Sequence, residues 1–165
     1  RSTNIDLVTI EEDGSINNIN ASEFGVKQIK SLNPYERVEA ETMGTMAGIS
    51  TVLIEETGKN SGTGNMAVTD INTGDWIAVY GVDFGDKGAN SFTVNAKAPS
   101  KDFGIIEIRL DKPNGEAVGH LKIDADNSGE FKEITAQLYS TITGEHDLVF
   151  VFYGENYELD YWYFN

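Results

Sequence analysis

Cysteine is absent from these 165 residues. Disulfides, zinc–thiolate centres and thiol nucleophiles are therefore excluded together, although a domain with a large core needs none of them. Histidine occurs only twice, as His120 and His146. The two lie in different strands without partners at ligand spacing, and no Ser–His–Asp set is legible. Basic residues are sparse: 12 Lys and Arg against 27 Asp and Glu leave a formal net charge of -15. Such a polyanion cannot neutralise phosphates, which removes nucleic acid and anionic membrane surfaces from the partners. No apolar run approaches the ~20 residues of a membrane-spanning helix. The N-terminus lacks a signal-peptide pattern, so an export signal is expected outside this sequence.

What is present reads as β-structure throughout. Short stretches alternate with period two, or are rich in Val, Ile and aromatics, and turn residues separate them. Strands are expected near 5–10, 36–41, 49–54, 65–71, 75–83, 90–98, 103–110, 117–124, 131–139, 145–153 and 158–164. Turns are expected at Asp13-Gly14, Gly58 to Gly64, Asp86 to Gly88, Pro113-Asn114-Gly115, Ser128-Gly129 and Gly144. Many short strands at this spacing, without a helical stripe, point to an all-β sandwich or barrel. Residues 1–20 read as one hairpin turning through Glu12-Asp13-Gly14-Ser15, and an isolated two-stranded ribbon is marginal. The stretch 21–33 is polar and irregular, and Pro34 breaks the chain. The compact domain is expected at 34–165, with 1–33 as a remnant hairpin and linker.

The carboxylates offer the first chemistry. Glu39 and Glu41 stand two apart on one strand and so share a face. Three readings compete: a solvated strand face, a glycosidase pair, or a cation site. A glycosidase pair faces itself across a substrate, which neighbours on one strand do not do. A hard cation such as calcium takes oxygen ligands of this kind. Asp124-Ala-Asp-Asn-Ser-Gly129 imitates half of an EF-hand loop. Its twelfth position is Thr135 rather than a bidentate Glu, so a hairpin turn is expected. Gly58 to Gly64 lacks the lysine and helix of a phosphate loop and reads as a plain loop. Among the aromatics, Trp76, Phe150, Phe152 and Trp162 are expected in the core.

Five segments carry a resemblance when taken in order. These are Asn33-Pro-Tyr-Glu-Arg-Val-Glu-Ala-Glu-Thr42, Gly74-Asp-Trp-Ile-Ala-Val-Tyr-Gly-Val-Asp-Phe-Gly85, Ile106-Glu-Ile-Arg-Leu-Asp111, Gly144-Glu-His-Asp-Leu-Val-Phe-Val-Phe152 and Leu159-Asp-Tyr-Trp-Tyr-Phe164. At this spacing they resemble carbohydrate-binding module family 6 over nearly all of 34–165. Arg1-Ser-Thr, the hairpin and Gly25-Val-Lys-Gln-Ile-Lys30 resemble the tail of a glycoside hydrolase family 43 catalytic domain. The resemblance implies a jelly-roll β-sandwich of two antiparallel sheets, secreted and monomeric, tethered to an upstream arabinofuranosidase- or xylosidase-type domain. It implies structural calcium held by Glu39, Glu41 and Asp160. It also implies a loop-end site for xylan or arabinoxylan, with no catalytic residue in this chain.

By motif, that site's first stacking aromatic falls on Asp70, its second on Phe131, and its asparagine on Glu158. Either Tyr157 nearby or the loop residues Asn65 and Asn72 are expected to compensate. Some relatives carry a second site on the concave sheet face. Two functions stay open: a module that targets a hemicellulase to cell-wall polysaccharide, and a structural module with a decayed sugar site that packs on its catalytic domain.

Overall fold

The computed structural model describes residues 8–18, 30–56, 64–97, 103–125 and 129–165. Two compact units divide the chain, Arg1–Lys30 and Ser31–Asn165. In the first, Ile10 pairs with Ile16 across the expected turn. Gly14 supplies the positive φ (84°) this turn needs and donates to Glu11 O at 2.9 Å. The rest of the expected hairpin strands, residues 5–7 and 19, lies outside the described residues. So do residues 25–29 of the Gly25–Lys30 segment and the loop 57–63.

The second unit is an all-β sandwich. Its strands are β1 (Val38–Glu39), β2 (Thr45–Ala47), β3 (Ser50–Glu56), β4 (Gly64–Thr69), β5 (Trp76–Asp83), β6 (Ala89–Lys97), β7 (Gly104–Leu110), β8 (Ala117–Ile123), β9 (Lys132–Ile142), β10 (Glu145–Gly154) and β11 (Glu158–Phe164). One sheet runs β3-β4-β11-β6-β9, with β1 also on β11; the other runs β2-β5-β10-β7-β8. All pairs between these strands are antiparallel.

Side-chain alternation explains the layering. In β7, Ile106 and Ile108 are buried while Glu107 and Arg109 form an ion pair on the outer face. In β11, Trp162 and Phe164 point inward, and Tyr161 and Tyr163 point outward. The inner faces meet in an aromatic centre, where Phe92 lies 5.1 Å from Phe150 and Trp162 meets Phe150 edge-on at 5.4 Å. Each such side chain, fully buried, contributes on the order of 1.5–3 kcal/mol.

Strand β10 is apolar on both faces because both are covered. Phe150 and Phe152 join the main core as expected, while Val149 and Val151 pack outward beneath Trp76, Tyr80 and Tyr153. Trp76 therefore departs from its expected core position: it is half-buried on the outer face of the five-stranded sheet. Its opposite-strand partner is Val151, and paired residues share a face.

Leu32 fixes where the sandwich starts. It pairs in parallel with Val82, donates to Gly81 O at 2.8 Å and accepts from Asp83 N–H at 3.0 Å. The unit thus takes in residues ahead of the break expected at Pro34.

Candidate functional site

One end of the sandwich gathers the loops β4–β5 and β10–β11 and the start of β9. Asn72 donates its side-chain amide to Asp70 O at 2.8 Å, and its backbone N–H to the Asp75 carboxylate at 2.8 Å. Thr73 Oγ1 accepts from Gly154 N–H at 2.9 Å, and Asn156 N–H reaches Ile71 O at 3.3 Å. These bonds lace the two loops into one rim.

On that rim, Lys97 closes β6 and Glu158 opens β11 as register partners. The Lys97 ammonium donates to Glu158 Oε1 at 3.1 Å. Phe131 directly precedes Lys132, the partner of Ala96, and so continues the same cross-strand row. Its half-buried ring has the Lys97 Nζ 5.8 Å from its centroid, at the limit of cation–π reach. A cleft of about 310 Å³ opens beside it, walled by Ala96, Lys122, Asp124, Lys132, Glu133 and Ile134. Two of the expected sugar residues, Phe131 and Glu158, therefore stand in one row.

Asp70 is at the same end, two residues after Val68, the partner of Leu159. It is exposed, and its φ of 58° lies in the left-handed region. Asp tolerates that conformation better than a bulky ring does.

Tyr157 corrects the expectation. Its ring is 0% exposed, packs edge-on against Phe152 at 6.2 Å, and its hydroxyl donates to Ile105 O at 3.2 Å. Burial pushes its phenol well above the usual range. A Cβ on Gly104 would come within 2.8 Å of the ring, so the strand passes against it as bare backbone. Tyr157 is a pillar beneath the loops, with no exposed face to offer a sugar. Asn65 is likewise elsewhere, donating its amide to Asp160 at 2.7 Å. Lys97 is the rim residue that motif reasoning missed. Its only sequence signal was its place at the end of a strand.

The expected calcium ligands share a second region. Glu39 lies opposite Tyr161, beside Asp160. Arg37 forks onto both Glu39 oxygens at 2.9 Å and reaches Asp160 at 3.4 Å. Asp160 is buried and also accepts from Asn65 and, at 2.9 Å, from Asn95. Glu41 keeps its Oε2 buried without a hydrogen-bond partner. Its pKa is raised, first by desolvation and then by the charges of Glu39 and Asp160, against the opposing charge of Arg37. Among the described residues no three carboxylates or imidazoles converge as a metal cage. The donor set still fits a hard cation in kind: it is all oxygen, like-charged, and holds one orphaned carboxylate oxygen.

The histidines have local partners, His120 with the Tyr139 hydroxyl at 2.7 Å and His146 with Asp111 at 3.3 Å. Residues 126–128 of the EF-hand-like turn lie outside the described residues.

Comparison with known proteins adds three findings. The family model for carbohydrate binding module (family 6) matches residues 39–165. Over 99% of its length the chain is 37% identical to an arabinoxylan arabinofuranohydrolase of Paenibacillus polymyxa and 40% identical to one of Bacillus subtilis (strain 168). It spans only 26% and 32% of those two proteins. A family 6 carbohydrate-binding module from Clostridium cellulolyticum, solved in complex with xylose, superposes with a TM-score of 0.70 at 29% identity, covering 81% of this chain and 99% of that one.

Proposed function

Since the chain belongs to carbohydrate-binding module family 6, as a non-catalytic carbohydrate-binding module, we propose that it holds a hemicellulase on plant cell-wall xylan or arabinoxylan. The observation that carries this reading is the row Glu158–Lys97–Phe131 on the loop rim: an apolar ring beside charged hydrogen-bonding groups. Sugars need that combination, a flat apolar face against a ring and polar atoms at their hydroxyls. The likeness to two arabinoxylan arabinofuranohydrolases supports a polymer of that class and an upstream catalytic domain of glycoside hydrolase family 43 in the same chain. Tethering raises the local concentration of such a domain on its polymer, so tight binding at a single site is unnecessary. With one ring in the Glu158–Lys97–Phe131 row, dissociation constants of about 0.1 to several millimolar are expected.

In this reading the module works outside the cell, as a monomer. Glu39, Glu41 and Asp160 hold a calcium ion that ties β1 to β11. The ion supplies a partner for the Glu41 oxygen that Arg37 leaves unpaired, and its role is structural.

The test is a calorimetric and NMR titration of the chain against xylo-, arabinoxylo-, gluco- and manno-oligosaccharides. Binding strongest to the xylan-derived members, with shifts centred on Phe131 and weakened by Phe131→Ala, is expected. Asp70 offers no face to a sugar, and that observation favours the rival reading of a structural module packed on its catalytic domain. Absence of binding to the whole panel would decide for the rival. Shifts centred on Trp76 and Tyr153 would move the site to the outer face of the five-stranded sheet.

A further inference from the structure

Resting on the loop end as the sugar site, we propose that Lys97 and Glu158 together read a pair of adjacent free hydroxyls on the bound sugar. Lys97 donates to one, and Glu158 accepts from the other. An asparagine side chain presents a donor and an acceptor side by side, whereas an ionised glutamate only accepts. In this chain the donor comes from the neighbouring strand. Lys97 and Glu158 are register partners, and Nζ stands 3.1 Å from Oε1. Adjacent hydroxyl oxygens on a pyranose ring are also about one hydrogen-bond length apart, so the pair and the diol match in span.

Neither group is used up by the other. The ammonium keeps two of its three donors, and the carboxylate keeps most of its lone-pair sites. The side chains are 35% and 23% exposed, open to a ligand yet partly withdrawn from water. Charge-assisted bonds made there are stronger than those of a neutral amide. Their position is fixed from beneath, because Tyr157 and Leu159 on either side of Glu158 are buried in the core. Phe131 continues the row and takes the apolar face of the same sugar unit.

The consequence is a choice of ligand. A unit whose hydroxyls carry an arabinosyl branch cannot satisfy the pair. The site therefore takes unsubstituted stretches of xylan backbone. The reaction class that supplies them is the hydrolytic removal of side-chain sugars from those hydroxyls.

The chain is titrated with linear xylohexaose and with a xylohexaose arabinosylated on its internal units, following affinity by calorimetry and location by NMR. Wild type is expected to bind the branched sugar at least about tenfold more weakly. Lys97→Met should weaken linear xylohexaose about tenfold, the loss of one charge-assisted bond. Adding Glu158→Asn in the Lys97→Met background restores donor and acceptor on one side chain, and should bring affinity back to within about threefold of wild type. Shifts centred on Phe131 with affinity untouched by Lys97→Met, or equal binding of both sugars, would overturn the diol proposal and leave the site standing. Shifts elsewhere, or no binding, would overturn the loop-end reading and this proposal with it. The two-sugar comparison needs no variant, so it decides even if a substitution impairs folding.

Discussion

Glu41 holds a buried, unpartnered carboxylate oxygen within the field of Asp160. Burial first, and then the charges of Glu39 and Asp160, raise the Glu41 pKa above its ordinary value of 4.5. The folded state thus binds the Glu41 proton more tightly than the unfolded state does. Metal-free protein has this contribution in full below the ordinary value, and loses it as pH rises through the raised one.

Calcium reverses the sign, because it binds the ionised form. In chelator, the melting temperature of wild type relative to Glu41→Gln should fall between the ordinary carboxylate range and neutrality. In calcium it should rise over the same interval. A hundredfold excess of calcium over its dissociation constant adds about 2.7 kcal/mol. Scanning calorimetry across pH checks both; identical midpoints with and without chelator would remove the ion from this corner.

Tyr157 should matter to stability and not directly to sugar. Truncation to alanine is expected to cost about 3–5 kcal/mol, the range for large buried aromatics. Tyr157→Phe loses only the bond to Ile105 O, about 1 kcal/mol, and should leave xylohexaose affinity unchanged. Urea denaturation and one titration separate the two roles. A large affinity loss in a stable Tyr157→Phe protein would return the residue to the site.

Strands such as β7, β8 and β11 were legible because their alternation is dictated by one buried face, and β10 because its apolar run is bounded by glycines; Trp162, Phe150 and Phe152 are buried as expected. The short β2 carries only Thr-Met-Ala and has no pattern to read; its pairing with β5 makes it a strand. Trp76 was misplaced because β5 is itself apolar on both faces, with Ile77 and Val79 in the main core and Ala78 beneath the outer face, so its apolar neighbours did not identify which face is the core. On the rim, motif position pointed to Phe131 and Glu158 and passed over Lys97, which stands between them in register. That pairing depends on register, and a bulge between Leu159 and Tyr161 resets the register of β11 within its own length. Tyr157 is buried for a simple reason: the residue next to Glu158 along the chain points to the other face.

Asp70 illustrates a backbone veto. Its left-handed φ means that Asp70→Tyr, the obvious way to restore a second stacking ring, should destabilise the fold by about 1–2 kcal/mol. Asp70→Gly should be neutral or slightly stabilising there. Denaturation midpoints of the two variants check this. Equal stability of Asp70→Tyr and wild type would show that the loop relaxes, and that the missing ring has no conformational cause.

The last prediction concerns where the module begins. Leu32 contributes two backbone hydrogen bonds to β5, through Gly81 O and Asp83 N–H, and its side chain packs against the core. Two net hydrogen bonds and part of a leucine's burial come to about 2–3 kcal/mol. Ser31 adds a bond from its hydroxyl to Glu145 at 2.6 Å, but that contact is exposed and adds little. A chain starting at Ser31 should therefore unfold cooperatively with the midpoint of the full sandwich. One starting at Tyr35 should remain folded but lose about 2–3 kcal/mol, since Phe164 N–H also loses its acceptor on Pro34. Leu32→Ala in the longer chain should reproduce only part of that loss, because the alanine keeps both backbone bonds. If the two starting points give the same stability, the β5 edge closes without residues 31–34, and the sandwich begins after the proline.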